Sequence, residues 1–371
     1  MAVPKTTTWP LEPHTKTKHL ILGKYLAAWL PIMSSRNGRI VFIDGFAGPG
    51  RYSKGEEGSP LIALRTALEH NGLSPECECN FLFIEADERR AEHLRGEIEQ
   101  LRAERPFPKR FNYEVAHAKF EEKISALLSE LSAKRLAPTL AFIDPFGFEG
   151  LPMRLVAEIA RHPKCECLIT FMYEPVNRFF EHPNSKIQEH LEELFGVPEA
   201  RGLLELSDVP EERFQKITSL YEDQLRAVAK FKFVRTFTMI NVGNRVEYLL
   251  FFGTNSETGL SRMKAAMWKA DPGDGCRFSD RTVSSQEVLL GPEPDLALLE
   301  RLLRDRFRGK GFVDISEIER FVVVDTPFLD THIRMKTLAP MERTIPPRIE
   351  AHRAPGTKKC VYPAGTKIRF L

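Results

Sequence analysis

Arg39–Pro60 reads RIVFIDGFAGPGRYSKGEEGSP. Arg39 to Ile43 is a run of β-branched and aromatic residues, which predicts a buried strand. The run ends on Asp44, after which Gly45, Gly48, Pro49 and Gly50 prevent a simple continuation of strand or helix. Ser59 followed by Pro60 predicts an N-cap with proline in the first helical turn, leading into the stripe Leu61, Ile62, Leu64 and Leu68. A strand ending in a carboxylate and a glycine-rich turn before a helix is a usual holder of a nucleoside cofactor in an open α/β sheet.

On either side of this stretch the chain alternates strand and helix patterns. Helical spacing over residues 14–33 (Leu20, Ile21, Tyr25, Leu26, Trp29, Leu30) places a helix before the first strand. Further strands are predicted at Asn80–Glu85, Phe111–Ala116, Thr139–Ile143 and Cys167–Tyr173, with helices over Asp87–Leu101 and Phe120–Leu131. This spacing implies right-handed βαβ units and a parallel sheet. Residues 175–230 are helical only and read as an insertion over one edge of the sheet. Phe231–Ile240 and Val246–Thr254, joined by Asn241-Val242-Gly243-Asn244, then read as an antiparallel hairpin. The expected fold is α/β, a Rossmann-like class I methyltransferase sheet closed by that hairpin, because a symmetric dinucleotide-binding fold would end on a sixth parallel strand.

Asp271–Gly275 (DPGDG) breaks the chain, so the domains are expected at 1–275, with a linker at 276–292 and a second domain at 293–371. Helices at Leu296–Phe307, Asp314–Arg320 and Pro327–Leu338, followed by two short strands within Lys359–Phe370, predict a small winged helix-turn-helix-like domain. Residues 293–371 carry 15 Lys+Arg against 11 Asp+Glu, although the whole chain has a net charge of only +2. That basic end implies a polyanionic partner such as DNA or RNA, or else a solvated surface. The 42% hydrophobic content is ample for a buried core, and Leu20–Met33, interrupted by Lys24, is too short for a bilayer span. Six cysteines, including Cys77-Glu78-Cys79 and Cys165-Glu166-Cys167, fit reduced thiols and a cytoplasmic protein better than a disulfide framework or a zinc site.

The glycine turn lacks both the Lys-Ser/Thr of a phosphate-cradling loop and the G-x-G-x-x-G spacing for a pyrophosphate. A ligand without a pyrophosphate, such as S-adenosylmethionine, fits better. Asp44, Gly45, Phe46, Ala47, Gly48 and Gly50 would then hold the cofactor. Glu85, at the end of the second strand, is placed to take the ribose hydroxyls, and Lys18 to reach the methionine carboxylate. Asp144-Pro145-Phe146-Gly147 ends the fourth strand beside that turn. The Asp144 carboxylate and the Pro145 carbonyl would accept hydrogen bonds from an exocyclic amine, and Phe146 would stack on a base lifted out of a duplex. Read structurally, the tetrapeptide is a tight turn, Glu85 a neighbour of the following helix start and Lys18 a solvated helix residue.

DGFAGPG, then GSP, then FIDPFG, with Lys18 and Tyr25-Leu26 on an upstream helix, resembles the three-Cys-motif partner protein (TcmP) family over roughly residues 14–290. The resemblance implies a methyltransferase-like domain, a winged-helix-like end and a partner protein that carries the three-cysteine motif. DPFG is also similar to the D-P-P-Y motif of amino-group N-methyltransferases, departing from it at Phe146 and Gly147. The third strand ends on Ala116-His117, without the acidic residue that many methyltransferases turn to the adenine amine. Two other readings stand beside an enzyme that methylates a base amino group: a catalytically idle nucleic-acid-binding or partner-assembly scaffold, and an NAD-dependent oxidoreductase.

Overall fold

The computed structural model describes residues 6–131, 135–198, 207–280 and 293–371. Its backbone divides into two units, Met1–Gly259 with Phe278–Ser284, and Leu260–Arg277 with Ser285–Leu371.

In chain order the elements up to the division are α1 (Pro13–Ser34), β1 (Arg39–Asp44), α2 (Ser59–Glu69), β2 (Glu78–Glu85), α3 (Glu88–Glu104), β3 (Phe111–His117), α4 (Phe120–Leu131), β4 (Thr139–Ile143), α5 (Met153–Ala160), β5 (Cys165–Phe171), α6 (Tyr173–Phe179), α7 (Ser185–Phe195), α8 (Pro210–Ala227), β6 (Phe233–Ile240) and β7 (Val246–Thr254). α9 (Glu257–Ala270) spans the division, and β8 (Arg277–Ser279) follows it. The sheet order is β3-β2-β1-β4-β5-β7-β6-β8, parallel from β3 to β5, with β7 antiparallel to both β5 and β6. This is the class I methyltransferase arrangement, a Rossmann-like sheet closed by an antiparallel hairpin.

Every residue of β4 and β5 is buried, as expected of central parallel strands covered on both faces. In β1, Ile40, Phe42 and Ile43 are at most 2% exposed, and burial of each stabilises the fold by about 1.5–3 kcal/mol. The register sets Asp44 level with Phe83 of β2 and Phe142 of β4, so Glu85 and Asp144 emerge two residues beyond it at the same carboxyl edge.

Two local expectations change. Ser59 is the first residue of α2 rather than its cap; Gly58 holds the cap position and no side chain caps the helix. The segment 175–230 does not lie over a sheet edge, because α7 and α8 send Phe195 and Tyr221 into the core against Phe171 of β5 and Phe251 of β7. Residues 199–206 of that segment lie outside the described residues.

In the second unit, α10 (Leu296–Phe307) is followed by β9 (Val313–Asp314), α11 (Ile315–Asp325), α12 (Ala339–Arg343), β10 (Ile349–His352) and β11 (Lys367–Phe370), with the sheet order β10-β11-β9, antiparallel throughout. The helix expected over Pro327–Leu338 is instead a 3-10 turn at Asp330–His332 and a wide π turn at Arg334–Leu338 leading into α12. The hairpin also begins earlier than expected: its first strand is Ile349–His352, while Gly356, Cys360 and Gly365 adopt left-handed backbone in the intervening loop. The division of the chain falls before residue 275 because α9 belongs largely to this unit. There the Trp268 indole donates to Pro327 O, and the Lys264 ammonium donates to the carbonyls of Val322, Val323 and Thr326 at the end of α11. Of the expected linker, residues 281–292 lie outside the described residues, and β8 occupies part of the remainder.

Candidate active site

The glycine turn is pinned by main-chain bonds to the neighbouring strands. Gly45 N–H donates to Phe142 O and Ala47 N–H to Ile84 O, each at 2.9 Å. Gly48 N–H donates to Glu85 Oε2 at 2.9 Å, and the Glu85 Oε1 accepts from Asp87 N–H at 2.8 Å. Glu85 therefore ties the turn to the start of α3, where the Asp87 side chain caps Arg90 N–H. After Gly50 the chain doubles back through an Arg51–Glu57 bridge before α2 begins.

The three glycines serve different needs. A Cβ on Gly45 would lie 2.6 Å from the Phe120 ring, and one on Gly50 would lie 2.8 Å from Leu94 Cδ1. Both positions are empty for packing. Gly48 has φ +63°, and a Cβ there would meet only Trp9 Cη2 at 3.8 Å, so its bare backbone faces the cleft. Gly50→Ala, at φ +85°, combines left-handed strain of about 1–2 kcal/mol with overpacking of about 1–3 kcal/mol. Gly48→Ala meets the strain alone and should be the milder variant in urea unfolding; equal losses would contradict this division.

Lys18, Phe46, Ala47, Gly48, Gly50, Asp144, Pro145 and Phe146 line one cleft above the carboxyl edge. Asp44, Gly45 and Glu85 stand behind its wall. Lys18, only 5% exposed, does not reach into open space: its Nζ lies 2.6 Å from the Asp144 carboxylate and 4.8 Å over the Tyr248 ring. Phe46 lines the cleft but stacks on Phe120, with ring centroids 5.5 Å apart.

Asp44 is fully buried. Its Oδ1 accepts from Phe46 N–H at 3.3 Å, while its Oδ2 is buried without a hydrogen-bond partner. Burial raises the Asp44 carboxyl to about 7, with the nearby charges of Asp144 and Glu85 acting in the same direction and Ser59 and the Phe46 amide against it. His19, also in the cleft wall, is lowered to about 3, first by burial and then by the Lys18 charge, so its imidazole is neutral.

Several cleft residues escaped the sequence reading. Trp9 meets Phe146 edge-on at 5.4 Å and Tyr52 at 5.8 Å, and the buried Arg90 guanidinium lies 5.1 Å from the Trp9 ring and 5.8 Å from the Phe146 ring. The Trp9-Pro10 pair ahead of α1 was the only available signal, and it has no periodicity to mark it. Among the described residues no cluster of His, Cys, Asp and Glu has a metal-binding arrangement, and no helix is long and apolar enough to cross a membrane. All six cysteines are free thiols.

No family model and no curated protein matches the chain. Among solved structures it is similar to a protein from Legionella pneumophila at 14% identity, with 68% of this chain and 92% of that one covered and a TM-score of 0.39. It is similar to precorrin-6y C5,15-methyltransferase from Geobacter metallireducens at 12% identity, covering 69% and 94% at a TM-score of 0.30. Spermidine synthase from Thermotoga maritima aligns at 11% identity over 64% and 60% at a TM-score of 0.30. At such TM-scores the likeness is loose, and the assignment of the fold rests on the strand order described above.

Proposed function

We propose that this chain is an S-adenosylmethionine-dependent methyltransferase that acts on an exocyclic amino group of a nucleic-acid base. The observation that carries the reading is the meeting, in one cleft at the carboxyl edge of the sheet, of the bare Gly48 turn with Asp144-Pro145-Phe146.

The residues present fit an adenosyl cofactor. Gly48 offers unobstructed backbone, and the Lys18 ammonium, which lines the cleft and donates to Asp144, keeps at least one of its three N–H donors for a carboxylate. Each Glu85 oxygen spends one lone pair on a backbone amide and keeps another for a ribose hydroxyl. When bound, the cofactor supplies a methyl group made electrophilic by the adjacent sulfonium. The chain's own part is positional. Asp144, held as an acceptor by Lys18, would orient an amine N–H, the Pro145 carbonyl would take the second, and Phe146 would wall the ring.

The second unit supports a nucleic-acid partner. Its order of helix, strand, two helical segments and two strands matches a winged helix-turn-helix, with Arg334, Lys336 and Arg343 on the third helical segment and Lys358 and Lys359 in the loop between β10 and β11. Within this reading the chain is a three-Cys-motif partner-like protein, cytoplasmic, with a three-Cys-motif protein as a further partner. In the idle-scaffold alternative, Asp144 and Phe146 would simply keep their present partners, Lys18 and Trp9.

Calorimetry is expected to show binding of S-adenosylmethionine and none of NAD, with labelled methyl appearing in DNA or RNA incubated with the protein. Failure of every adenosyl ligand to bind removes the proposal. Binding without incorporation leaves the scaffold.

A further inference from the structure

The indole of Trp9 occupies a pocket built for a flat ring. Phe146 meets it edge-on, Tyr52 closes a second side at 85° to its plane, and the guanidinium of Arg90, a residue only 4% exposed, lies over its ring at 5.1 Å. Gly48 completes the recess, with its missing Cβ 3.8 Å from the indole. An aromatic edge, a cation over the face and a bare glycine backbone are the groups that recognise a planar heteroaromatic ring.

The occupant is tethered less firmly than the recess. Trp9 sits on the segment leading into α1, where Thr6, Pro10 and Glu12 are exposed and Trp9 itself is half-buried. Its main-chain carbonyl accepts one hydrogen bond, from Ser53 N–H at 2.9 Å, and α1 begins without a side-chain cap. The walls, in contrast, belong to the β1–α2 connection, to the first turn of α3 and to the turn after β4, all anchored to the sheet. With the indole in place the cavity holds about 180 Å³. That is below the roughly 300–1,000 Å³ of clefts that bury a cofactor-sized molecule.

Resting on the methyltransferase reading above, we infer that the Phe146–Tyr52–Arg90 recess is the subsite for a planar heteroaromatic ring of the bound ligand. Trp9 is its intramolecular occupant and must swing out for the ligand to enter. The ring belongs either to the adenine of the cofactor or to the target base; the recognition chemistry is the same. A protein whose open state is a fraction of the population binds with affinity reduced by that fraction, so removing the occupant tightens binding.

The test compares wild type, Trp9→Ala and Phe146→Ala by calorimetry with S-adenosylhomocysteine, and then with 2′-deoxyadenosine and 2′-deoxycytidine added to the S-adenosylhomocysteine-saturated protein. Trp9→Ala is expected to tighten one of these ligands about tenfold or more, and Phe146→Ala to weaken the same one. Tightening of S-adenosylhomocysteine assigns the recess to the cofactor ring; tightening of a nucleoside alone assigns it to the target base. In 5-fluorotryptophan-labelled wild type, the Trp9 fluorine resonance, identified by its loss in Trp9→Ala, should move to a solvent-exposed position on ligand binding. Binding that is unchanged or weakened in Trp9→Ala, with a stationary Trp9 resonance, makes Trp9 a fixed wall and overturns the inference while leaving the methyltransferase reading intact. Absence of S-adenosylhomocysteine binding to all three proteins overturns both.

Discussion

Replacing Asp144 by alanine is expected to lower methyl incorporation into nucleic acid by about a hundredfold or more, the usual contribution of a positioned group that handles the reacting proton. Asp144 is the first residue after β4, and Lys18 Nζ lies 2.6 Å from its carboxylate. Its loss acts twice, since it removes the acceptor proposed for the target amine and strands an ammonium that is 6% exposed. Removing one partner of a buried pair costs about 3–5 kcal/mol, but the Asp144 side chain is 19% exposed, so water that enters its place offsets part of this. Asp144→Asn separates the two effects. It keeps a hydrogen-bond acceptor for Lys18 at the same position and removes the charge proposed to align the amine. The expected pattern is folded protein and retained S-adenosylhomocysteine binding in Asp144→Asn, with methyl incorporation still reduced at least tenfold. Incorporation at the wild-type rate in Asp144→Asn would show that the carboxylate charge plays no part in the transfer.

The sequence carried the sheet further than the site. β4 was readable residue for residue because a β-branched Thr139 leads into the apolar run Leu140–Ile143, bounded by Pro138 and Asp144, and such runs sit in the middle of parallel sheets. β5 was placed two residues late because Cys165-Glu166 looks polar. Glu166 is 1% exposed, and its carboxylate accepts from the hydroxyls of Tyr25 and Thr254, partners 141 and 88 positions away. Long-range pairing of this kind leaves no local pattern. The same limit applies in the cleft. Asp44, Glu85 and Asp144 could be placed at one sheet edge from strand ends alone, but the destination of the Glu85 oxygens depends on backbone amides at Gly48 and Asp87. In the second unit, Pro327–Leu338 was read as one helix, the third of a winged helix-turn-helix. The chain instead tightens into a 3-10 turn and then widens before Pro340 restarts a regular helix within its first turn.

The second large effect concerns proton uptake on folding. Asp44 moves from an ordinary 3.8 to about 7 in the folded protein, so between those values the native state holds a proton that the unfolded chain releases. The stability that this group contributes is fully present below about pH 4 and is lost as pH rises towards 7, amounting to roughly 4 kcal/mol over the whole interval. His19 runs the other way. Lowered from 6.5 to about 3, it is neutral when folded and protonated when unfolded between those values, so its contribution is present above pH 6.5 and lost as pH falls. Between about pH 4 and 6.5 the two slopes cancel, because folding places one proton on Asp44 and removes one from His19. Wild type thus hides both shifts, and single variants expose them. In His19→Gln, unfolding free energy from urea titrations should fall with pH by up to about 1.4 kcal/mol per unit between pH 4 and 6.5 relative to wild type. In Asp44→Asn it should rise with pH over 4 to 7 by a similar amount per unit relative to wild type, and in the double variant the two differences should cancel between pH 4 and 6.5. Curves for Asp44→Asn and wild type that run parallel across this range would mean that Asp44 is ionised in the native protein. A buried carboxylate without a partner for its Oδ2 would then have to be balanced by something other than its own proton, and Lys18 cannot supply that balance while its ammonium is held at Asp144.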